Sequence, residues 1–534
     1  MTTPTTSNHD SLSHGKSVGA AFAAASVARR VGITAALGRG RQAQLALWQI
    51  IARLIDQGSR LSAVRLHQTH ALAEAVDLKK GFCEDDLYQN LAWLADNQDK
   101  SENRLFKFRG KKQSPKQTVN LFLYDVTSSY LEGKHNELAA YGYNRDGKKG
   151  KLQIVIGLLC DQTGEPVSVQ VFTGNTSDVT TFGDQIKKAA QRFGCRRVTF
   201  VGDRGMIKST QKADLAEADF NYITALTRKQ IETLEKNGVI QLGLFDEELC
   251  EIEKDSERYI LRRNPCRADD IAAVRASKES SVRKLVQTKN AYLQAHPRAK
   301  VETALREINR KIEKLNCTWL TVNTSAEVVA TGATTKATTE AVGSDEEAES
   351  ESESEKTKTK IAATVTANRQ VSLARDEATL GELSRLDGCY VITTDLPKAA
   401  VCAVDVHACY KDLSKVERAF RESKTGHLEL RPIHVRKEKS TRGHVFVVML
   451  AYLLRRELAR AWDAIDVTME EGLACLGTLS SVVVGEIEGM SIERIPEARG
   501  LSGKLLAGLN YELPQTLVRR DLNVSTRVKT RKRA

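Results

Sequence analysis

Apolar residues recur at helical spacing through the first hundred positions and at strand spacing beyond them. ALWQIIARLIDQG (46–58) has the i, i+3, i+4 rhythm of an amphipathic helix and stops at Gly58. DDLYQNLAWLADN (85–97) repeats that rhythm, so residues 18–100 read as helical. VGAAFAAASVA (18–28) has the look of a signal segment. Arg29 and Arg30 follow it, however, and only Lys16 precedes it, so it reads as an Ala-rich helix. RLFKFRGKKQSPK (104–116) packs six basic residues and two phenylalanines into thirteen positions. It reads as a linker, either solvated or turned toward nucleic acid.

The period changes from residue 118. TVNLFLYD is strand-like, and KLQIVIGLLCDQTGEPVSVQVF (151–172) is two β-rich runs around a DQTGEP turn. An amphipathic helix follows at 179–193, then the strand RRVTFVGD (196–203), a helix at 206–218 and the strand FNYITALT (220–227). The order β-ββ-α-β-α-β predicts an α/β fold with a mixed sheet and flanking helices.

Residues 229–400 differ in character. A β-rich pair (248–264) precedes two charged helical segments near 268–294 and 300–315. Residues 324–369 are rich in Thr, Ala, Ser and Glu. The run SDEEAESESESEK (344–356) lacks core-forming residues and is expected to be disordered. Order resumes at GCYVITTD (388–395), and long helices are expected at about 405–424 and 443–463.

Composition adds a direction. Lys and Arg number 80 against 68 acids in 534 residues, a net charge of +12. That excess suits an anionic partner, nucleic acid first, or simple colloidal solubility. Ten cysteines without a CxxC pair fit no common zinc pattern and suit a reduced, intracellular chain. The apolar run VFVVMLAYLL (445–454) is too short to span a bilayer, so no membrane role is expected.

Two positions carry candidate chemistry. The apolar run into Asp125 (LFLYDVTSSY) and the strand into Asp203 (VGDRGM) each read as a strand ending in Asp. A turn or cap is the plain reading of either alone. Together they can place two carboxylates at one sheet edge, where ligands of open α/β sheets bind. Adjacent carboxylates repel unless a cation lies between them, and hard oxygen ligands suit Mg²⁺ or Mn²⁺. YKDLSKVERAFRESK (410–424) offers a third carboxylate. Tyr410, Leu413, Glu417, Arg421 and Lys424 share one helical face, which is also the pattern of a surface helix with an i,i+4 Glu–Arg pair.

These segments resemble a DDE transposase of a bacterial insertion sequence, in the insertion-sequence-four superfamily and most like its sixteen-thirty-four branch. The signature Y-(2)-R-(3)-E-(6)-K is matched by Tyr410, Glu417 and Lys424, with Leu413 at the Arg position. That departure leaves the carboxylates untouched and bears on the DNA contact of the missing Arg. YDVTSSY, TGNTSD (173–178), DRGM, RPIHV and RGH also resemble family motifs, and the likeness runs from about residue 40 to 530.

The resemblance implies an RNase H-like core in two parts, 116–228 and 401–465, around an insertion domain with β-strands at 229–400. Around these parts a disordered 1–17, a helical DNA-binding region at 18–115 and a C-terminal region with a basic tail at 466–534 are expected. Asp125, Asp203 and Glu417 become the catalytic residues and ligands of two Mg²⁺ (or Mn²⁺) ions, which serve phosphodiester cleavage and strand transfer. Tyr410 and Lys424 become phosphate contacts. Further candidate DNA contacts are Arg109, Lys111, Lys112, Lys148, Lys149, Arg421, Arg431 and Arg436. The implied partner is double-stranded DNA, the element's terminal inverted repeats and the target, bound by a homodimer in the bacterial cytoplasm at the nucleoid. Two other functions fit the same residues: a nuclease without strand transfer, and a non-catalytic DNA-binding protein derived from a transposase. GDRGMIKS (202–209) lacks the spacing of a phosphate-binding loop, which excludes a nucleotide hydrolase of that type.

Overall fold

The computed structural model describes residues 13–110, 120–193, 195, 198–325, 370–425, 428–487 and 490–526. The acidic run and most of the Thr-rich segment expected to be disordered, 326–369, lie outside the described residues, as do 1–12 and the end of the basic tail. The strands are β1 (Ser13–Ser17), β2 (Asn120–Tyr130), β3 (Gln153–Asp161), β4 (Pro166–Thr173), β5 (Val198–Gly202), β6 (Asn221–Ala225), β7 (Cys250–Lys254), β8 (Glu257–Arg263), β9 (Leu320–Ser325), β10 (Gln370–Arg375), β11 (Cys389–Thr394), β12 (Ser480–Ile487), β13 (Met490–Arg494) and β14 (Thr516–Arg520).

The principal sheet has the order β4-β3-β2-β5-β6-β11-β8-β7. Its first five strands form an RNase H-like core: an antiparallel meander β2-β3-β4 beside the parallel neighbours β5 and β6. The expected hairpin turn is there. The Asp161 carboxylate accepts from the N–H groups of Thr163 (2.9 Å) and Glu165 (3.0 Å), and Gly164 supplies the left-handed residue at φ +77. The strands are apolar because side chains pack over them. Phe182, on the helix Asp178–Lys187, meets Phe200 of β5 at 5.5 Å and Tyr124 of β2 at 5.8 Å between ring centroids. These rings are all but fully buried, and edge-on contact of this kind adds to the burial of their area.

Four expectations are corrected. Residues 13–17 are a strand, β1, pairing with β12 in a four-stranded antiparallel sheet of order β1-β12-β13-β14. SHGKS has no apolar alternation, and its order comes from the C-terminal strand it pairs with. The 104–116 linker is helical as far as Gly110, in the helix Gln98–Gly110. Its buried Glu102 accepts from Ser168 Oγ (2.7 Å) and Val169 N–H (3.1 Å) and pairs with Arg192, which fixes the helix to β4. The pair 248–264, expected within the insertion, adds β7 and β8 to the principal sheet. Ile260, Leu261 and Arg258 are buried there, and Arg258 bonds to Glu251 and to the Leu396 carbonyl. The single helix expected at 405–424 is two, Ala403–Lys411 and Leu413–Lys424, meeting at Asp412.

The chain forms two compact units. One comprises residues 1–244, 249–261 and 391–534, so the helical N-terminal segment and the core belong together; the other comprises 245–248 and 262–390. In the second unit the helices Pro265–Ala295 and Val301–Leu315 and the antiparallel hairpin β9–β10 enclose Val282, Ile308, Ile312 and Trp319.

In the first unit the helix Glu438–Ala461 packs against the helix Glu84–Asp96 at Gly443. A Cβ there would lie 2.0 Å from the Leu91 carbonyl oxygen. Gly→Ala within a helix ordinarily stabilises by about 0.5–1 kcal/mol. Here the close approach reverses the sign. Gly443→Ala is expected to destabilise by about 1–3 kcal/mol, as overpacking does, read as a lowered midpoint in thermal and denaturant unfolding; a raised midpoint would refute the close-packing account.

Candidate active site

Asp125 does not end its strand. β2 continues to Tyr130, paired with β3 from Phe122↔Asp161 through Asp125↔Leu158 to Tyr130↔Gln153. What ends beside it is the parallel pairing with β5, whose last pair is Tyr124↔Gly202. Asp125 and Asp203 are thus the next residues on two neighbouring parallel strands. The strand continues because β3 pairs with it as far as Tyr130, and Ser128 and Ser129 are fully buried within it.

Glu417 lies on the helix Leu413–Lys424. That helix buries Val416, Ala419 and Phe420 and leaves Glu417 exposed. Its last residue, Lys424, is tied to β2 by a 2.5 Å hydrogen bond from Nζ to Thr127 Oγ1. Leu413, at the Arg position of the signature, is buried and opens the helix, so it offers no surface contact.

The charges of Asp203 and Glu417 reach Asp125. Burial pushes the half-buried Asp125 up to about 7, and the charges of Asp203 and Glu417 push the same way, against the Val126 N–H that donates to Asp125 Oδ1 at 2.7 Å. The Tyr410 hydroxyl donates to Asp203 Oδ1 at 3.4 Å; burial, then the Asp203 charge, raises its pKa and keeps it protonated. Among the described residues no three His, Cys, Asp or Glu side chains already close on a common point as a finished metal cage. The donor set nevertheless fits a hard divalent cation: three carboxylates, oxygen only, with mutual repulsion that such a cation would relieve.

The other expected contacts divide. Lys424 is buried, and its ammonium also pairs with Asp146 at 2.9 Å. Arg431 pairs with the same carboxylate, which takes the Tyr130 N–H as well (3.1 Å). Neither cation is therefore a free phosphate contact in this state. Arg109 is corrected too: it pairs with Glu165 at 2.8 Å and donates to the Pro166 carbonyl, securing the end of its helix on the β3–β4 hairpin. Lys148, Lys149, Arg421 and Arg436 are exposed, as expected of surface contacts. Lys111 and Lys112 lie outside the described residues. Sequence reasoning passed over Asp146, Arg145 and Arg204. The run YGYNRDGKKG (141–150) drew notice for its lysines, whereas its acid is the residue that holds the segment in place.

An RNase H-like sheet thus carries two aspartates beside the last β2–β5 pair, with the charge of Glu417 reaching one of them. Residues 120–454, well over half of the chain, match the family described as transposase DDE domain, and the chain belongs to that family. No curated protein matches it. Among solved structures it is similar to the piggyBac transposase in a synaptic complex with hairpin DNA, at 11% identity and a TM-score of 0.27, over 45% of this chain and 55% of that one. The chain thus spans little more than half the length of that solved relative.

The raised pKa of Asp125 has a sign. Its folded value lies above its unfolded one, so its contribution is present below the unfolded pKa, near 4, and is lost as pH rises toward 7. In chelator, Asp125→Asn is expected to melt higher than the wild type at pH 8 and to lose that advantage at pH 4. A variant that melts lower at pH 8 would refute the repulsion.

Proposed function

We propose that this chain cuts DNA at the ends of an insertion sequence and joins the freed 3′ ends to target DNA, as a transposase of the insertion-sequence-four superfamily close to its sixteen-thirty-four branch. The observation that supports the reading is the β2–β5 register that makes Asp125 and Asp203 neighbours, together with the charge of Glu417 acting on the same Asp125. Asp125, Asp203 and Glu417 would hold divalent cations, Mg²⁺ or Mn²⁺ and two per site in the full form of the proposal, which activate the attacking oxygen of water or a 3′-OH and stabilise the leaving one. Tyr410, kept protonated, donates to Asp203 and orients its carboxylate. Lys148, Lys149, Arg421 and Arg436 contact phosphates. Lys424 and Arg431 fix the position of the Glu417 helix through Asp146 and face phosphates only by exchanging that partner. The bound partners are the element's inverted repeats and the target duplex, with two copies of the chain on paired ends. Among the described residues no helix is long and apolar enough to cross a membrane.

The test duplex is taken from the DNA flanking the reading frame, where the proposal expects short inverted repeats. Glu417→Gln keeps the side chain's size and removes its charge, so it is expected to bind the end duplex at least as well as wild type. Mg²⁺-dependent nicking is expected to fall by several orders of magnitude. Gel shift and nicking on one duplex at two salt concentrations check both, since phosphate contacts weaken with salt. Wild-type nicking by Glu417→Gln would remove that residue from the mechanism. Binding without nicking by the wild type, in Mg²⁺ and Mn²⁺ alike, would favour the non-catalytic DNA-binding function.

A further inference from the structure

The segment between β2 and β3 carries two of the most exposed aromatic residues described, Tyr141 at 69% and Tyr143 at 79%. A single exposed tyrosine needs no explanation. These sit on a segment bonded in place throughout. Asn144 Oδ1 accepts from the N–H groups of Asp146 (2.9 Å) and Lys148 (3.2 Å). Arg145 N–H donates to Ser128 Oγ at 2.8 Å, and Gln153 Nε2 donates to the Tyr143 carbonyl at 3.1 Å. The buried Asp146 carboxylate fastens the segment to β2, Lys424 and Arg431. An aromatic ring held in water on a rigid support loses little freedom on binding.

Tyr143 borders a cleft of about 420 Å³ lined also by Arg145, Asn175, Thr176, Ser177 and Arg204. Arg145 lies 5.3 Å from the Tyr143 ring centroid, and its charge is met by Asp178, whose two oxygens accept at 2.5 and 2.6 Å. Arg204 is exposed and has no ion-pair or hydrogen-bond partner among the described residues. It follows Asp203 in the chain, so the cleft adjoins the carboxylate edge. The cleft therefore combines one open ring, hydroxyl and amide groups, and one uncompensated positive charge. That is the chemistry of a single nucleotide: a base to stack, edge groups to hydrogen-bond and one phosphodiester charge.

We propose that Tyr143 and this cleft seat one unpaired nucleotide of the DNA strand lying at the carboxylate edge, with its base on the Tyr143 ring and its phosphate at Arg204. The inference rests on the reading of the chain as a DNA-processing enzyme and adds to it a site for unpaired DNA.

The test uses the full chain and two duplexes of one sequence, blunt or with a single-stranded tail, the tail carrying 2-aminopurine, whose fluorescence is quenched on stacking. Wild type is expected to bind the tailed duplex about tenfold tighter than the blunt one, the order of one base–aromatic stack, and to quench the probe. Tyr143→Ala is expected to bind the blunt duplex as wild type does, which shows it is folded, and to lose both the preference and the quenching. Tyr143→Phe keeps both. Arg204→Ala is expected to reduce the salt slope of binding to the tailed duplex by about one. A preference that survives in Tyr143→Ala, or equal wild-type affinity for both duplexes, overturns the seat and leaves the DNA-processing reading standing. Binding to neither duplex overturns that reading and the seat with it.

Discussion

The parallel pairing of β2 with β5 stops after Tyr124 and Gly202, and the acidic site depends on that stop. Parallel strands in register carry their side chains past one another in step, so the residues after the last pair are neighbours by construction. Both are aspartates. Burial disfavours the ionised state of Asp125, and the charges of Asp203 and of Glu417 on its helix add to that, hence the rise of Asp125 to about 7. Such an arrangement costs folding free energy. It persists because the register is set elsewhere, by Phe122 and Tyr124 of β2 and Phe200 of β5, which pack with Phe182 of the helix Asp178–Lys187 and cannot slip by one residue without turning their rings to the other face of the sheet.

Delivery of the third carboxylate depends on a different interaction. Glu417 is exposed, so its place follows from the helix that bears it. That helix is fixed at its far end by Lys424, and Lys424 by Thr127 of β2 and by Asp146. A buried ion pair is costly to desolvate and stabilises only when its remaining polar atoms are satisfied. Asp146 meets that condition with two cations and the Tyr130 N–H. One buried anion thus sets the relation of β2, the segment before β3, the Glu417 helix and the residues around Arg431. Burial lowers the pKa of Lys424 while Asp146 opposes the change, so the ammonium form is kept by its partner.

How much of this was legible in the sequence depended on how far away the deciding partner lay. The hairpin β3–β4 was readable because its turn is made by Asp161, Thr163, Gly164 and Glu165, all local. The strand before Asp203 was readable because Val198, Phe200 and Val201 make it largely apolar and Thr199 is β-branched. The continuation of β2 past Asp125 was not, since VTSSY has the composition of a turn and becomes strand only where β3 pairs with it and the Glu417 helix covers it. β7 and β8 were readable as strands but not as members of the principal sheet, because alternation says that a strand is half-buried and not what buries it. The face shared by Tyr410, Glu417 and Lys424 was drawn as one surface. It divides because Asp146, 278 residues from Lys424, withdraws that lysine from solvent.

The same distance explains why net charge overstates the surface available to DNA. Several of the basic residues behind the +12 are structural: Arg60 meets His444 of the helix Glu438–Ala461, Arg192 meets Glu102, Arg258 meets Glu251, and Arg109 meets Glu165. Each is a guanidinium engaged within the fold and unable to release a counterion from DNA without breaking a buried contact. The cations that remain exposed beside the carboxylates are few, and Lys148, Lys149 and Arg204 stand on the segments that follow β2 and β5. The register that brings Asp125 beside Asp203 therefore also sets where these cations emerge. The charge that repels a phosphodiester and the charge that attracts it are held by the same pair of strands.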